Sequence, residues 1–180
     1  MEKLQINDRL FLERISLIHS EAIFHAIDEN RNHLRQWLPF VDQTIELRDT
    51  ERFVRSMVNT PLDERDDIYV IFYNYEFAGL IALKDVDRVD DKAEIGYWLV
   101  EHMTGKGLAT ESTRRLINIA FRDLNLNRIQ IRCGVGNNKS KGIPERLGFR
   151  LEGIEREGEK HHHGFIDLEV YSMLKKDWIK

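Results

Sequence analysis

Residues 101 to 115, EHMTGKGLATESTRR, lie between an apolar run and a segment with helical apolar spacing. Gly105 and Gly107 flank Lys106, and Leu108 and Ala109 follow. Few side chains here could do covalent chemistry, so the usable groups are main-chain N–H donors. The loop follows a strand-like segment and opens a helix-like one. The first amides of a helix have no partner within it, and the helix dipole makes that end positive. A phosphate placed there accepts several N–H bonds. Glycine at 105 and 107 keeps side chains away from such a phosphate and relaxes φ. Ala109 is also small, and Lys106 would add a point charge. The spacing is neither a Walker loop nor the three-glycine dinucleotide fingerprint. By themselves, two glycines leave phosphate binding level with a plain helix start on a tight turn.

Other residue types raise other chemistry. His161, His162 and His163 are consecutive, so on a strand they would point to alternating faces. No further ligand set accompanies them, and a polar loop on the substrate side is the better expectation than a metal site. Cys133 is the single cysteine, which excludes an internal disulfide framework and a cysteine-rich metal site. It sits mid-strand, where a buried small side chain is the default. Trp37 and Trp98 could shape an acceptor groove or simply pack in the core.

The 180 residues suffice for one domain with a real core, taken as 1–180. Basic and acidic residues are interspersed and sum to −4, which argues against direct nucleic-acid binding and suits an amine partner. The N-terminal MEKLQINDRL has no apolar signal-peptide core, and the sparse cysteine usage fits a reducing cytoplasm. The most apolar stretch, residues 68–83, is broken by Asn74, Glu76 and Gly79. It reads as two strands around a polar turn, not as a membrane span.

These groups need elements to hold them. Strands are expected at 9–15, at 68–74 and 77–86 as a hairpin around NYE, and at 93–100 with Gly96 as a candidate bulge. Three more are expected at 127–135, 149–157 and 165–174. Ser20 is placed to cap a helix running to Asp28, and Pro39 ends a short helical piece at 29–40. Thr44 is placed to cap a helix over 46–58 with Leu47, Phe53, Val54 and Met57 near one face. Residues 60–67, TPLDERDD, read as a polar loop. Leu108, Leu116, Ile119, Ala120 and Leu124 mark a helix over 107–124. The sum is a mixed α/β domain of antiparallel hairpins with one strand–helix–strand crossover.

The stretch AEIGYWLVEHMTGKGLATE resembles motif A of the GNAT superfamily of acetyl-CoA-dependent N-acetyltransferases. Its signature Gln/Arg-x-x-Gly-x-Gly/Ala aligns with Thr104-Gly105-Lys106-Gly107-Leu108-Ala109. NRIQIRCGVGNNKSKGIPERLGF resembles the family's Asn-x-x-Ser…Leu-Gly-Phe segment. ENRNHLRQWLPF and the tail EGEK…DLEVYSMLKKDW are similar to the Rim-type branch, which acetylates ribosomal-protein N-termini. The resemblance covers nearly the whole chain in order. It implies a mixed, mostly antiparallel sheet of about seven strands, helices on both faces, and splayed central strands. It also implies acetyl-CoA as cosubstrate, no metal, and a protein N-terminus or a small amine as acceptor. A non-catalytic acyl-CoA-binding module is the reading from another class. Paired C-terminal strands are compatible with a homodimer.

By that resemblance, the diphosphate falls on Thr104 to Ala109, and main-chain groups near Leu99 and Val100 meet the pantetheine and acetyl group. Asn137 matches the position that contacts the pantetheine arm. Ser140 matches the serine assigned to the departing thiolate, with helix capping as its ordinary alternative. Glu159 matches the acid that the Rim-type branch places near the incoming amine, and Glu94 matches the base position of other GNAT enzymes. Each could equally be a structural carboxylate. Two departures stand out. Thr104 replaces the usual Gln or Arg, and Pro144 replaces the tyrosine that many members use as general acid. Pro144 also predicts a short or irregular helix.

Overall fold

The computed structural model describes residues 3–61 and 66–178. The middle of the polar loop expected at 60–67 therefore lies outside the described residues. Among the described residues there are eight strands: β1 (Lys3–Gln5), β2 (Leu10–Arg14), β3 (Asp67–Tyr73), β4 (Glu76–Asp87), β5 (Lys92–Leu99), β6 (Arg128–Gly134), β7 (Arg150–His161) and β8 (Gly164–Leu174). They form one mixed sheet in the order β1-β2-β3-β4-β5-β6-β8-β7. The strand beyond the expected seven is β1, whose three residues are too few to carry an alternating pattern. The helices are α1 (Ser20–Glu29), α2 (Arg31–Leu34), α3 (Leu47–Asn59), α4 (Leu108–Asn118), α5 (Asn138–Arg146) and α6 (Lys175–Trp178).

The β3–β4 turn explains the broken apolar stretch. Asn74 and Tyr75 both have positive φ, 50° and 64°, as a two-residue hairpin turn of the primed type requires. The pairs β1–β2, β2–β3, β6–β8 and β7–β8 are antiparallel. Strands β5 and β6 are parallel and are paired only from Lys92–Glu94 to Arg128–Gln130. Both run on, to Leu99 and Gly134, so the central strands part as expected. Gly96 lies past the last β5–β6 pair, and β7 carries register shifts on β8.

The chain divides into two compact units. The first comprises Met1–Ala82 and Tyr97–Ser112. Its core gathers Ile23 and Ile27 of α1, Val54 of α3, and Ile68, Val70 and Leu80 of β3 and β4. Two capping expectations fail here. Ser20 is the first residue inside α1, and the polar work falls to Ser16 and His19, which form a capping box one turn earlier. Thr44 instead donates its hydroxyl to the Phe40 carbonyl. Helix α3 is capped by Glu46 with Asp49, whose carboxylate accepts the N–H groups of Ile45 and Glu46. Those main-chain donors hold Asp49 below the usual carboxylate range. Phe53 is exposed; Thr50, one turn before Val54, takes the inner face.

The second unit comprises Leu83–Gly96 and Thr113–Lys180. Strand β6 alternates as its sequence predicts: Ile129, Ile131 and Cys133 are buried, and Arg128, Gln130 and Arg132 take the other face. The helical run after α4 widens into a π turn over Ile119–Asp123, where Leu124 N–H reaches the Ile119 carbonyl. Helix α5 is short, nine residues, and is regular through Pro144. Pro144 supplies no N–H to the Ser140 carbonyl one turn back, a loss set two residues from the helix end at Arg146.

Candidate active site

In the first unit, residues Glu101–Met103 form a 3₁₀ turn that launches the glycine loop. Four ties hold it. Glu101 N–H donates to Asn30 Oδ1 at 3.0 Å, and Asn30 Nδ2 donates to the Ala26 carbonyl at 2.9 Å. His102 Nε2 lies 2.8 Å from Glu76 Oε1. Thr104 Oγ1 donates to the Glu101 carbonyl at 2.8 Å, and Met103 is buried. Thr104 therefore spends its hydroxyl closing the turn.

Gly105 and Gly107 both have φ of +77°, a left-handed conformation that costs any other residue about 1 kcal/mol or more. A Cβ built on either meets nothing within 4 Å. The backbone is thus required by shape, and the space beside it is open. The first bond of α4 runs from Glu111 N–H to the Gly107 carbonyl at 3.0 Å. The helix supplies no carbonyl for the N–H groups of Leu108 and Ala109. Lys106 is exposed, with its Nζ 3.4 Å from Met103 Sδ and 5.7 Å from the Tyr73 ring centre. Both contacts are weak, so the ammonium is readily turned toward an anion.

The end of β5 is set by Gly79. A Cβ there would lie 2.0 Å from the Trp98 carbonyl oxygen and 2.8 Å from Leu99 Cα, so only glycine permits this approach. Val100 N–H donates to the Ala78 carbonyl at 2.9 Å, and the Val100 carbonyl accepts Met103 N–H at 3.1 Å. Both main-chain groups of Val100 are engaged. Strand alternation turns Leu99's N–H and carbonyl to the opposite edge from those of Val100. Trp98 packs on Phe77, ring centres 5.9 Å apart, against the apolar core. Trp37 is half-buried.

In the second unit, Asn137 and Ser140 meet at the start of α5. Asn137 is the N-cap, and its Oδ1 accepts Ser140 N–H at 3.2 Å. Ser140 is consequently not the cap. Its Oγ donates to Cys133 Sγ at 3.3 Å, and that thiol is buried as expected. Glu94 is nearly buried between two cations: Oε1 lies 2.9 Å from Lys84 Nζ, and Oε2 lies 2.6 Å from Arg132 Nε.

Glu159 has a different setting. Strand β7 gains two residues on β8 between Glu155, opposite Leu168, and Glu159, opposite Ile166. Glu157, with φ of 52°, turns within this bulge and donates its N–H to Asp167 Oδ1 at 2.7 Å. Glu159 emerges with its side chain 40% exposed and Oε2 2.7 Å from Nε2 of His161, whose side chain is fully buried. The sequence flags three histidines without separating them. Period-two alternation was the available signal that 159 and 161 share a face. His161 closes β7, so it is not part of a polar loop. Among the described residues no three His, Cys, Asp or Glu side chains are grouped to hold a metal. Among them, too, no helix is long and apolar enough to cross a membrane.

A family model described as Acetyltransferase (GNAT) domain matches residues 9–150. The chain is 35% identical over 176 residues to "Putative ribosomal N-acetyltransferase YdaF" of Bacillus subtilis (strain 168), covering 97% of this chain and 96% of that one. It is 28% identical over 178 residues to the ribosomal-protein-serine acetyltransferase of Escherichia coli (strain K12), covering 96% and 97%. A solved structure of RimL, a ribosomal L7/L12 alpha-N-protein acetyltransferase in complex with coenzyme A, matches with TM-score 0.91 and 25% identity, over 96% of this chain and 98% of that one. With its parted central strands and its glycine loop at the head of α4, the chain belongs to the GNAT family and is an acetyl-CoA-dependent N-acetyltransferase.

Proposed function

We propose that the acceptor is the N-terminal α-amine of a protein, with ribosomal proteins the first class to test, and that the enzyme works in the cytoplasm. The observation that carries this reading is similarity along almost the whole chain to proteins named as ribosomal acetyltransferases, one of them, RimL, as an alpha-N-protein acetyltransferase. Energetics agree. An α-amine titrates near ~8 and a lysine near ~10.4, so the neutral form at pH 7 costs about 1.4 kcal/mol for the first and about 4.6 for the second. A partly exposed carboxylate is an adequate base for the first.

In this reading the N–H groups of Leu108 and Ala109 and the backbone of Gly105–Gly107 hold the diphosphate, and Asn137 meets the pantetheine arm. The amine lone pair attacks the thioester carbonyl carbon and forms the C–N bond. The oxyanion is stabilised by the main chain of Leu99. A proton leaves the amine nitrogen for Glu159, directly or through one water. The C–S bond then breaks with its electron pair going to sulfur. The Ser140 hydroxyl turns from its weak acceptor Cys133 Sγ to hydrogen-bond that thiolate, which later takes a proton from solvent. Glu159 is preferred to Glu94 as base because both Glu94 oxygens already face cations.

The test is mass spectrometry of cellular protein N-termini with and without the enzyme, followed by single turnover with acetyl-CoA. A set of proteins unacetylated only without the enzyme supports the reading. Transfer to spermidine with none to peptides contradicts it. Binding of acetyl-CoA without transfer to any amine would make this chain a non-catalytic module. Full turnover in both Glu159→Gln and Ser140→Ala would remove the assigned roles.

A further inference from the structure

We propose that His161 is the positioning residue for Glu159, a buried one-donor clamp that presents the second carboxylate oxygen to the amine; this rests on Glu159 being the base. The two residues are two apart on β7, so their side chains share a face. Opposite His161 in the β7–β8 register stands Gly164, which has no side chain to compete for the space. The imidazole is fully buried while its partner carboxylate is partly exposed, and they meet at 2.7 Å. A partly exposed glutamate otherwise samples many rotamers, and ordering one costs conformational entropy. A hydrogen bond from a fixed ring meets that cost before substrate arrives.

The rest of the ring determines which role it can have. Nδ1 is buried and makes no hydrogen bond among the described residues. The ring proton therefore belongs on Nε2, where it faces Glu159 Oε2. Nothing among the described residues accepts a proton from Nδ1, so the ring has no partner to pass one on to. His161 is thus suited to donate and hold, and unsuited to carry a proton away. The amine proton ends on the free oxygen, Oε1 of Glu159, and leaves from there to solvent. A buried polar atom left unpaired also needs a reason, and holding a carboxylate in one rotamer supplies it.

The experiment is a double-mutant cycle with Glu159→Gln, His161→Leu, His161→Gln and the pair Glu159→Gln/His161→Leu. Turnover is measured with acetyl-CoA and a peptide bearing a free N-terminal serine, or with spermidine if peptides are not acetylated. Glu159→Gln should lower kcat about 100-fold. His161→Leu should lower kcat about tenfold or more with KM for acetyl-CoA unchanged. His161→Gln, whose amide can donate, should recover most of that loss. In the Glu159→Gln background, His161→Leu should change kcat by less than about twofold. If His161→Leu keeps kcat within about twofold, or its effect multiplies with that of Glu159→Gln, His161 is merely structural and the proposal fails. Full turnover in Glu159→Gln removes the base reading itself, and the clamp with it. Should His161→Leu not fold, His161→Phe keeps a ring in the same space and takes its place in the cycle.

Discussion

Asn30 Oδ1 accepts the main-chain N–H of Glu101 at 3.0 Å, joining the end of α1 to the turn that launches the glycine loop. The same side chain donates to Ala26, so its amide is locked in one orientation. Asn30→Ala removes the tie and leaves the loop's sequence intact. One such hydrogen bond is worth about 1 kcal/mol. The expected outcome is an acetyl-CoA KM raised about fivefold with kcat nearly unchanged, read from initial rates. An equal fall in kcat would place Asn30 in the chemistry instead.

Gly79 allows β4 to approach the backbone of Trp98 and Leu99. The atoms a Cβ would strike are main chain, so no rotamer change relieves the contact. Gly79→Ala should destabilise the fold by about 2 kcal/mol or more, visible as a lower Tm and a lower urea midpoint. Activity per folded molecule should also fall, because Leu99 must move. Unchanged stability would mean the two strands are farther apart than described.

Glu94 and Glu159 separate by what their carboxylates already do. Glu94→Gln leaves Lys84 and Arg132 without their shared anion in a nearly buried place. Both cations are partly exposed and Arg132 keeps Glu155, so the loss is about 1 kcal/mol. Below the melting temperature, the remaining kcat should stay within about threefold of wild type, since nothing reactive is lost. Glu159→Gln should do the reverse, with Tm kept and kcat lost. A dead but stable Glu94→Gln would return Glu94 to the position of base.

The elements with strong periodicity were legible in the sequence. Seven strands, the hairpin around Asn74 and Tyr75, and the helix after Gly107 are where the patterns place them. Caps were not. Ser20 and Thr44 are the right residue types at the right spacing, but Ser16 with His19, and Glu46 with Asp49, took those roles through geometry that types alone do not encode. The glycine loop was legible because φ of +77° leaves few alternatives to glycine. The tie from Asn30 was not, because it spans 71 residues. Val100's engaged main chain and Glu94's two cations depend on strand pairing and register, which come only from the fold.

A pH effect follows from Glu152. Its carboxylate receives two hydrogen bonds from Arg128, at 2.7 and 2.6 Å, and one from the Ser172 hydroxyl at 2.7 Å. These hold it well below its ordinary 4.5, at about 2. A depressed folded-state value means the stabilisation is fully present above the unfolded value and is lost as pH falls through the folded one. The Tm difference between wild type and Glu152→Gln should therefore be full at neutral pH and should close between about 4.5 and about 2. The group is partly exposed, so salt should reduce the difference. A difference that persists unchanged at the acid end would contradict the assignment.

The central claim is that main-chain donors around Gly105 to Ala109 hold the diphosphate of coenzyme A. Titration calorimetry of wild type and Gly107→Ala with coenzyme A and with pantetheine, which lacks the diphosphate, tests it most directly. The added methyl meets no protein atom within 4 Å, so the fold should lose only about 1 kcal/mol. Coenzyme A should bind the variant at least about tenfold more weakly, and pantetheine should bind both proteins alike. Equal affinity of the two proteins for coenzyme A, or no binding by wild type, would contradict the claim.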